Sequence, residues 1–429
     1  MLRTAFLGGL LAASSMGVAV AQESFAIING ELHMTSAEGE VIVDGMVLVR
    51  SGRIVAVGQD IDLPSGIDVI DAGGMPVTPG LFVAQSAIGL NEIGAVVEAN
   101  DASTNNDALS AALDARDGFN MDSSVIDVTR AGGITRAYVT PNVGSTLFGG
   151  CGMVISMLRG PDSIVEPCIA QVATLGEAAA RASGGSRLAG MAKFRRAIED
   201  ALLYDDDPEA YAASDHHNRL SVEDARALVP VVLGQQTLMI NVHGASDILR
   251  VLELADQYDL DIAIVGGTEA WRVADQIADA EVPVIINPLG NLPSSFERLG
   301  ATMTAAPRLA EAGVTVMFYD EGIGYTHNAR LLPQLAGNAV ASGMKHAQAL
   351  RAITLTPAEM FGLSRDLGTL ERGKLADIVV WDGDPLELTT RPTHVFIEGE
   401  KTSLENRQTR LTERYKDLSR GDKPLQYRH

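Results

Sequence analysis

The feature that most constrains this chain is a hydrophobic period that changes twice. From Phe25 to Val77 short apolar runs alternate with turns, as FAIING, then VIVDGMVLVRSGRIVAVG, then IDVIDAGGMPVTPG. Runs of period two broken by Gly, Pro, Asp and Asn predict antiparallel strands. From Leu81 to about Leu363 the character becomes strand then helix. GITRAYVTP, TLMINVHG, DIAIVGG, VPVIIN and VTVMFYD are each flanked by Ala-rich helical segments. After ALRAITLTPAEMFGL the period returns to two in ADIVVWDGDP and THVFIEGE.

Strand-helix alternation predicts a parallel sheet with crossover helices, and a stretch this long suits a closed barrel of about 250 residues. Neither flanking segment has enough strands to bury a core alone, so the two are expected to pair. The resulting α/β reading is a TIM-like (β/α)8 barrel, residues 79–363, inserted into a small β-sandwich built from residues 22–78 and 364–403. Residues 404–429, rich in Arg, Glu and Lys, form a solvated extension or a terminal helix. The acidic stretch DDDPEAYAASDHHN from Asp205 interrupts the barrel pattern and reads as a surface loop or helix cap, with His216 and His217 solvated.

Residues 1–21, MLRTAFLGGLLAASSMGVAVA, combine a basic Arg3, an apolar stretch too short to span a bilayer and the small-x-small end Ala19-Val20-Ala21. That pattern predicts a cleaved signal peptide, with an uncleaved interfacial anchor as the alternative, and a periplasmic or secreted mature chain starting near Gln22. No later segment offers about 18 uninterrupted apolar residues, so no stable membrane span is expected after cleavage. With 55 acidic against 33 basic side chains the formal charge is -22. Such a chain repels phosphate backbones, which argues against nucleic acid and leaves a small molecule as the default partner. The oligomeric state stays open, a homo-oligomer included. Gly144, Gly149, Gly150 and Gly152 fit no nucleotide loop and read as turns.

The two cysteines, Cys151 and Cys168, are followed by GMVIS and IAQVA, two strands with GPDS as a turn between. In an oxidising compartment a hairpin there predicts a disulfide. Two unpaired buried thiols are the alternative, since a hairpin's register is not written in its sequence.

GMVLVRSGRIVAVG with IDAGGMPVTPGLF, AGGITRAYVTPNVGS, the pair NVHGASDILRVLELADQYDLDIAIVGGTEAWRVAD and VPVIIN, and ALRAITLTPAEMFGLSRDLGTLERGKLADIVVWDGDP together resemble the amidohydrolase superfamily. Within it the chain is similar to exported imidazolonepropionase-like amidohydrolases. The resemblance implies hydrolysis of non-peptide C–N bonds, as in cyclic amides, with one or two divalent metals at the carboxyl ends of the strands. There a metal lowers the pKa of water to supply the nucleophile, and an acid shuttles the proton to the departing nitrogen.

In that family the first strand continues from PGL into apolar-Asp-x-His-x-His, a spacing that puts both imidazoles on one strand face. Here Val83 holds the aspartate position and Gln85 and Ala87 the two histidine positions. Ala87 has no donor atom, and a neutral amide is a poor zinc ligand beside imidazole. His243 matches the histidine of a middle strand, as a weak metal candidate or simply a hydrogen-bonded barrel histidine. Gly266 and Gly267 stand where many relatives carry another, and either Asp320 or Glu321 matches the catalytic acid. A relocated site would recruit His327, Glu92 or Asp101, and only then is a divalent metal such as zinc expected.

Three readings follow: a hydrolase by family, a non-catalytic binding or structural protein, and metal-free hydrolysis. In the second, Gln85, Ser86, Asn142, His243 and Asn287 contact a ligand; in the third, Asp320 or Glu321 is general base and His243 electrophile or acid. Protein recovered from the periplasm should start near Gln22 and gain mass on alkylation only after reduction. Free thiols in that protein would end the disulfide expectation.

Overall fold

The computed structural model describes residues 24–36, 39–215, 219–321 and 326–417. The expected signal peptide, His216 and His217 lie outside the described residues. Strands β1 (Phe25–His33), β2 (Val41–Arg50), β3 (Arg53–Gly58), β4 (Asp68–Asp71) and β5 (Pro76–Pro79) lead into the barrel. The barrel strands are β6 (Leu81–Ser86), β7 (Ile134–Val139), β8 (Phe148–Ser156), β9 (Ile164–Thr174), β10 (Thr237–Val242), β11 (Ile262–Gly266), β12 (Val284–Ile286) and β13 (Val316–Phe318). Strands β14 (Ile378–Trp381), β15 (Pro392–Ile397) and β16 (Glu400–Lys401) follow it.

Strands β6 to β13 form one sheet in chain order, and β13 comes back against β6 to make a nearly closed barrel. Its neighbours are parallel except at β8, which runs antiparallel to both β7 and β9. The hairpin expected around the cysteines is thus built into the barrel wall. Cys151 and Cys168 are disulfide-bonded. A register shift between Gly152 and Val154 leaves Cys168 in a bulge with a left-handed backbone, φ 47°. The bulge explains why the bridge joins residues that a regular hairpin would not set opposite each other.

Inside the barrel Phe82, Tyr138, Val154, Val172, Met239, Ile285 and Met317 pack together over Phe361 and Leu367, so the lumen is a core rather than a pore. A larger apolar cluster fills the layer between strands and helices. Within the acidic stretch, Asp205 and Asp206 end the helix Arg187–Asp206, and Asp207 caps the helix Pro208–Ala212 by accepting from Ala210 N. The terminal helix is Arg407–Tyr415, opened by a capping box on Asn406. No described helix is long and apolar enough to cross a membrane.

The chain ends meet in the second sheet, of order β16-β15-β14-β5-β1-β2-β3 with β4 beside β1. Ile378, Val379 and Val380 pair with Pro79, Thr78 and Val77, across some three hundred residues of sequence. The hydrogen bonding is continuous, so both layers of the sandwich are one curled sheet. Phe25 of β1 and Phe396 of β15 stack at 4.4 Å, far closer than strands three positions apart in a flat sheet, about 14 Å.

Where sheet meets barrel, Arg136 of β7 is 1% exposed. Its Nε and Nη2 donate to the Asp377 carboxylate at 2.7 and 3.1 Å, and Nη2 also to Glu398 at 2.9 Å. Beside it Trp381 donates to Thr78 Oγ1 and lies over Gly133, where a Cβ would sit 2.6 Å from the indole. Removing Asp377 leaves the buried guanidinium with only the partly exposed Glu398. Asp377→Ala should therefore lower unfolding free energy by about 3–5 kcal/mol in urea titration; a loss below about 1 kcal/mol, the usual range of an exposed pair, would contradict that role.

Candidate functional site

The carboxyl ends of the parallel strands converge on one mouth, where several strands and the segments after them contribute polar groups. Gln85 comes from β6, Asn142 from beyond β7, Thr174 from β9 and Asn241 from β10, and these line a cavity of about 610 Å³ with Ser103 and Arg181. Its apolar wall is Val172, Met239 and Val265. A second cavity, of about 500 Å³, borders Arg181 on its other side and is lined by Asn287, Ser295, Arg298 and Glu321.

His243, 4% exposed, follows β10. Its Nδ1 lies 2.9 Å from Thr268 Oγ1, and its Nε2 lies 2.6 Å from Arg298 Nη2. A guanidinium can only donate, so Nε2 accepts and Nδ1–H is the donor to Thr268. Arg298 Nη2 also lies 2.5 Å from Glu321 Oε1, and that carboxylate is 3.8 Å from His243 Nε2. Burial, with the Arg298 charge second, lowers the His243 pKa to about 3.

The loop bearing Arg298 is held on both sides. Before it, Glu297 Oε2 accepts from Glu177 N at 2.7 Å while Glu177 Oε1 accepts from Glu297 N at 3.0 Å. After it, Gly300 N donates to Glu269 Oε1 and Trp271 Nε1 donates to Gly300 O. Burial raises the Glu297 carboxyl above its ordinary range.

The two candidate acids separate here. Glu321 belongs to the His243–Arg298 cluster, whereas half-buried Asp320 has its pKa raised by desolvation against a hydrogen bond from Asn328. Gln85 lines the first cavity, but Ala87 is fully buried in the layer between strands and helices. A register shift between Val83 and Ser86 breaks the strict alternation, so a spacing of two does not place both side chains at the mouth. Ser86 is buried and donates to Tyr138 O, a structural bond. Asn142 and Asn287 fall in different cavities.

Gly266 has φ +89°, and a Cβ there would lie 2.2 Å from His243 Cε1, so the imidazole occupies the space a side chain would need. His327 is exposed, and Glu92 accepts from Asn120 and Ser124 instead. Among the described residues the only group of three or more His, Cys, Asp or Glu donors near enough to share an ion is Asp114, Cys151 and Cys168, whose sulfurs are already joined. Arg298, Arg181 and Thr268 were not singled out from sequence. Arg298 ends the short 3-10 turn Phe296–Arg298 in NLPSSFERLG, a connection whose only hint was its position just beyond the VPVIIN strand.

The amidohydrolase family model matches residues 217–406. The chain is 23% identical over 391 residues to the amidohydrolase tasK of Hapsidospora irregularis, covering 83% of this chain and 39% of that protein. It is 40% identical over 73 residues to the imidazolonepropionase of Sphingopyxis alaskensis, 17% of this chain and 18% of that one. The chain therefore spans well under two thirds of these relatives. Among solved structures, an amidohydrolase from Thermotoga maritima MSB8 is similar with TM-score 0.79 and 25% identity, covering 88% of this chain and 99% of that chain. Molinate hydrolase shares the fold at TM-score 0.56 and 17% identity, over 90% and 95% of the two chains.

His243 gives the site a pH signature. In the unfolded chain its imidazole binds a proton near pH 6.5, but in the folded chain only near pH 3. Below about pH 6.5 the unfolded state alone takes up that proton, so this residue's contribution to stability falls as pH drops, by up to about 1.4 kcal/mol per unit. The stability difference between the protein and His243→Gln should narrow from pH 7 to pH 4; a constant or widening difference would rule out a buried neutral imidazole.

Proposed function

The chain carries an amidohydrolase-family domain, and from that premise we propose that it is an exported member that binds a small polar molecule with a non-peptide C–N bond but lacks the family's metal-dependent hydrolysis. The carrying observation is the Arg298 guanidinium, 2.6 Å from His243 Nε2 and 2.5 Å from Glu321 Oε1. A metal-ligating histidine typically donates one ring nitrogen to a polar neighbour and presents the other to the cation. His243 does this through Thr268, and the cation it meets is an arginine.

The remaining donor set points the same way. A catalytic zinc needs three protein ligands and an open position, and in the family it supplies an activated water. Here Gln85 is a neutral amide, Ala87 is packed in the core, Gly266 cannot bear a side chain beside His243, and Arg298 places positive charge against the two matched donors. These residues do not fit a divalent metal. Export is supported by residues 1–21 and by the joined cysteines, which suit an oxidising compartment.

A second reading, hydrolysis without metal, is favoured by Asp320. Its raised pKa at the carboxyl end of a barrel strand suits proton transfer. Protein purified without chelators should contain well under one equivalent of zinc, manganese or iron and turn over cyclic amides and N-acyl compounds barely above background. Chelator-insensitive turnover lost in Asp320→Asn would favour the second reading. Stoichiometric metal lost together with activity in His243→Ala would overturn both.

A further inference from the structure

Resting on that reading, the cation in the barrel mouth has a use beyond excluding metal. Arg298 commits Nη2 to His243 and Glu321, while Nε and Nη1 have no partner among the described residues. The side chain is 23% exposed and lines the cavity of about 500 Å³. Arg181, from the helix Gly176–Arg181, lines the same cavity, and its guanidinium has no hydrogen bond or ion pair among the described residues. Ser295 Oγ, also in the lining, is buried without a partner.

The acids of this cavity are already occupied. Glu177 and Glu297 each accept the other's backbone N–H, and Arg187 lies 3.3 and 3.7 Å from them. Glu321 is paired with Arg298 itself. What remains unspent in the lining is donor capacity: Nε and Nη1 of Arg298, which donate singly because Nη2 is engaged, and the guanidinium of Arg181. A guanidinium N–H donating to a carboxylate makes a charge-assisted hydrogen bond, stronger than a neutral one.

We infer that the free N–H groups of Arg298, together with the Arg181 guanidinium, bind a carboxylate on the ligand. The pinned loop makes this a prepared site, because Glu297 and Gly300 fix the backbone on either side of Arg298. The ligand would lie with its carboxylate against Arg298 and Arg181 and its amide toward Gln85, Asn142 and Asn241, since Arg181 borders both cavities.

The test uses the full mature chain and two matched probes, N-acetylglycine and its uncharged amide, by calorimetric titration. The carboxylate should bind at least about tenfold more tightly than the amide, the scale of one charge-assisted hydrogen bond. Arg298→Gln and Arg181→Gln should each reduce that preference about tenfold, and Arg298→Lys should retain part of it. Arg181 is exposed, so its variant stays informative if Arg298→Gln fails to fold. Equal affinity for the probes, no binding of either, or an unchanged preference in folded variants would overturn the inference. Metal measured in the same preparation separates the two readings. Stoichiometric metal with a carboxylate preference sinks the metal-free reading alone, whereas metal-free protein without a preference sinks only this one.

Discussion

A guanidinium buried away from water must be paired, and Arg136 makes the whole chain satisfy that requirement. Its partners Asp377 and Glu398 arrive 241 and 262 residues later. Asp377 is tied in three ways: its carboxylate holds Arg136, Oδ1 also accepts from Glu398 N, and its carbonyl accepts from Gly80 N at the threshold of the barrel. The second barrel strand therefore reaches its native environment only when the carboxyl-terminal strands have returned. This couples the curled sheet to the barrel more firmly than apolar contact alone, because an unpaired charge is penalised far more steeply than a lost methylene.

That coupling holds the amino ends of the strands, and the mouth at the opposite ends is organised by shorter-range constraints. Glu297, Glu177 and Arg187 join the Arg298 loop to the helices beyond β9, and Glu269 joins it to the turn beyond β11. Arg187 is shared by Glu177, Asp247 and Glu297, while Arg298 pairs with Glu321. Arg181, without a hydrogen bond or ion pair among the described residues, borders two polar cavities.

The sequence made the architecture legible because hydrophobic period is local and robust. Each named strand, from GITRAYVTP to VTVMFYD, forms where its apolar run lies, and the chain ends pair because neither can bury a core alone. The cysteine hairpin was readable from turn chemistry, although the bulge that seats Cys168 was not. The site was only half legible. His243 was found by its match to the family's middle-strand histidine, but the separation of Asp320 from Glu321 depends on their contacts with Asn328 and Arg298. Ala87 was placed at the mouth by a period-two rule that the β6 irregularity breaks. Arg298 escaped notice because loop residues carry no period, and only three-dimensional pinning brings it to His243.

The features at the mouth depend on one another. A histidine at position 87 would enter a packed layer rather than the cavity. A side chain at position 266 would collide with the imidazole it was meant to assist. Displacing Arg298 would leave Glu321 without its cation and His243 Nε2 without its donor, in a place where burial already favours the neutral ring. Each feature is stabilised by the others: glycine admits the ring, the ring accepts the guanidinium, and the guanidinium neutralises the acid. A side chain at position 266 or the loss of Arg298 therefore works against packing and charge together, and the mouth is held in its present form by the contacts that position its parts.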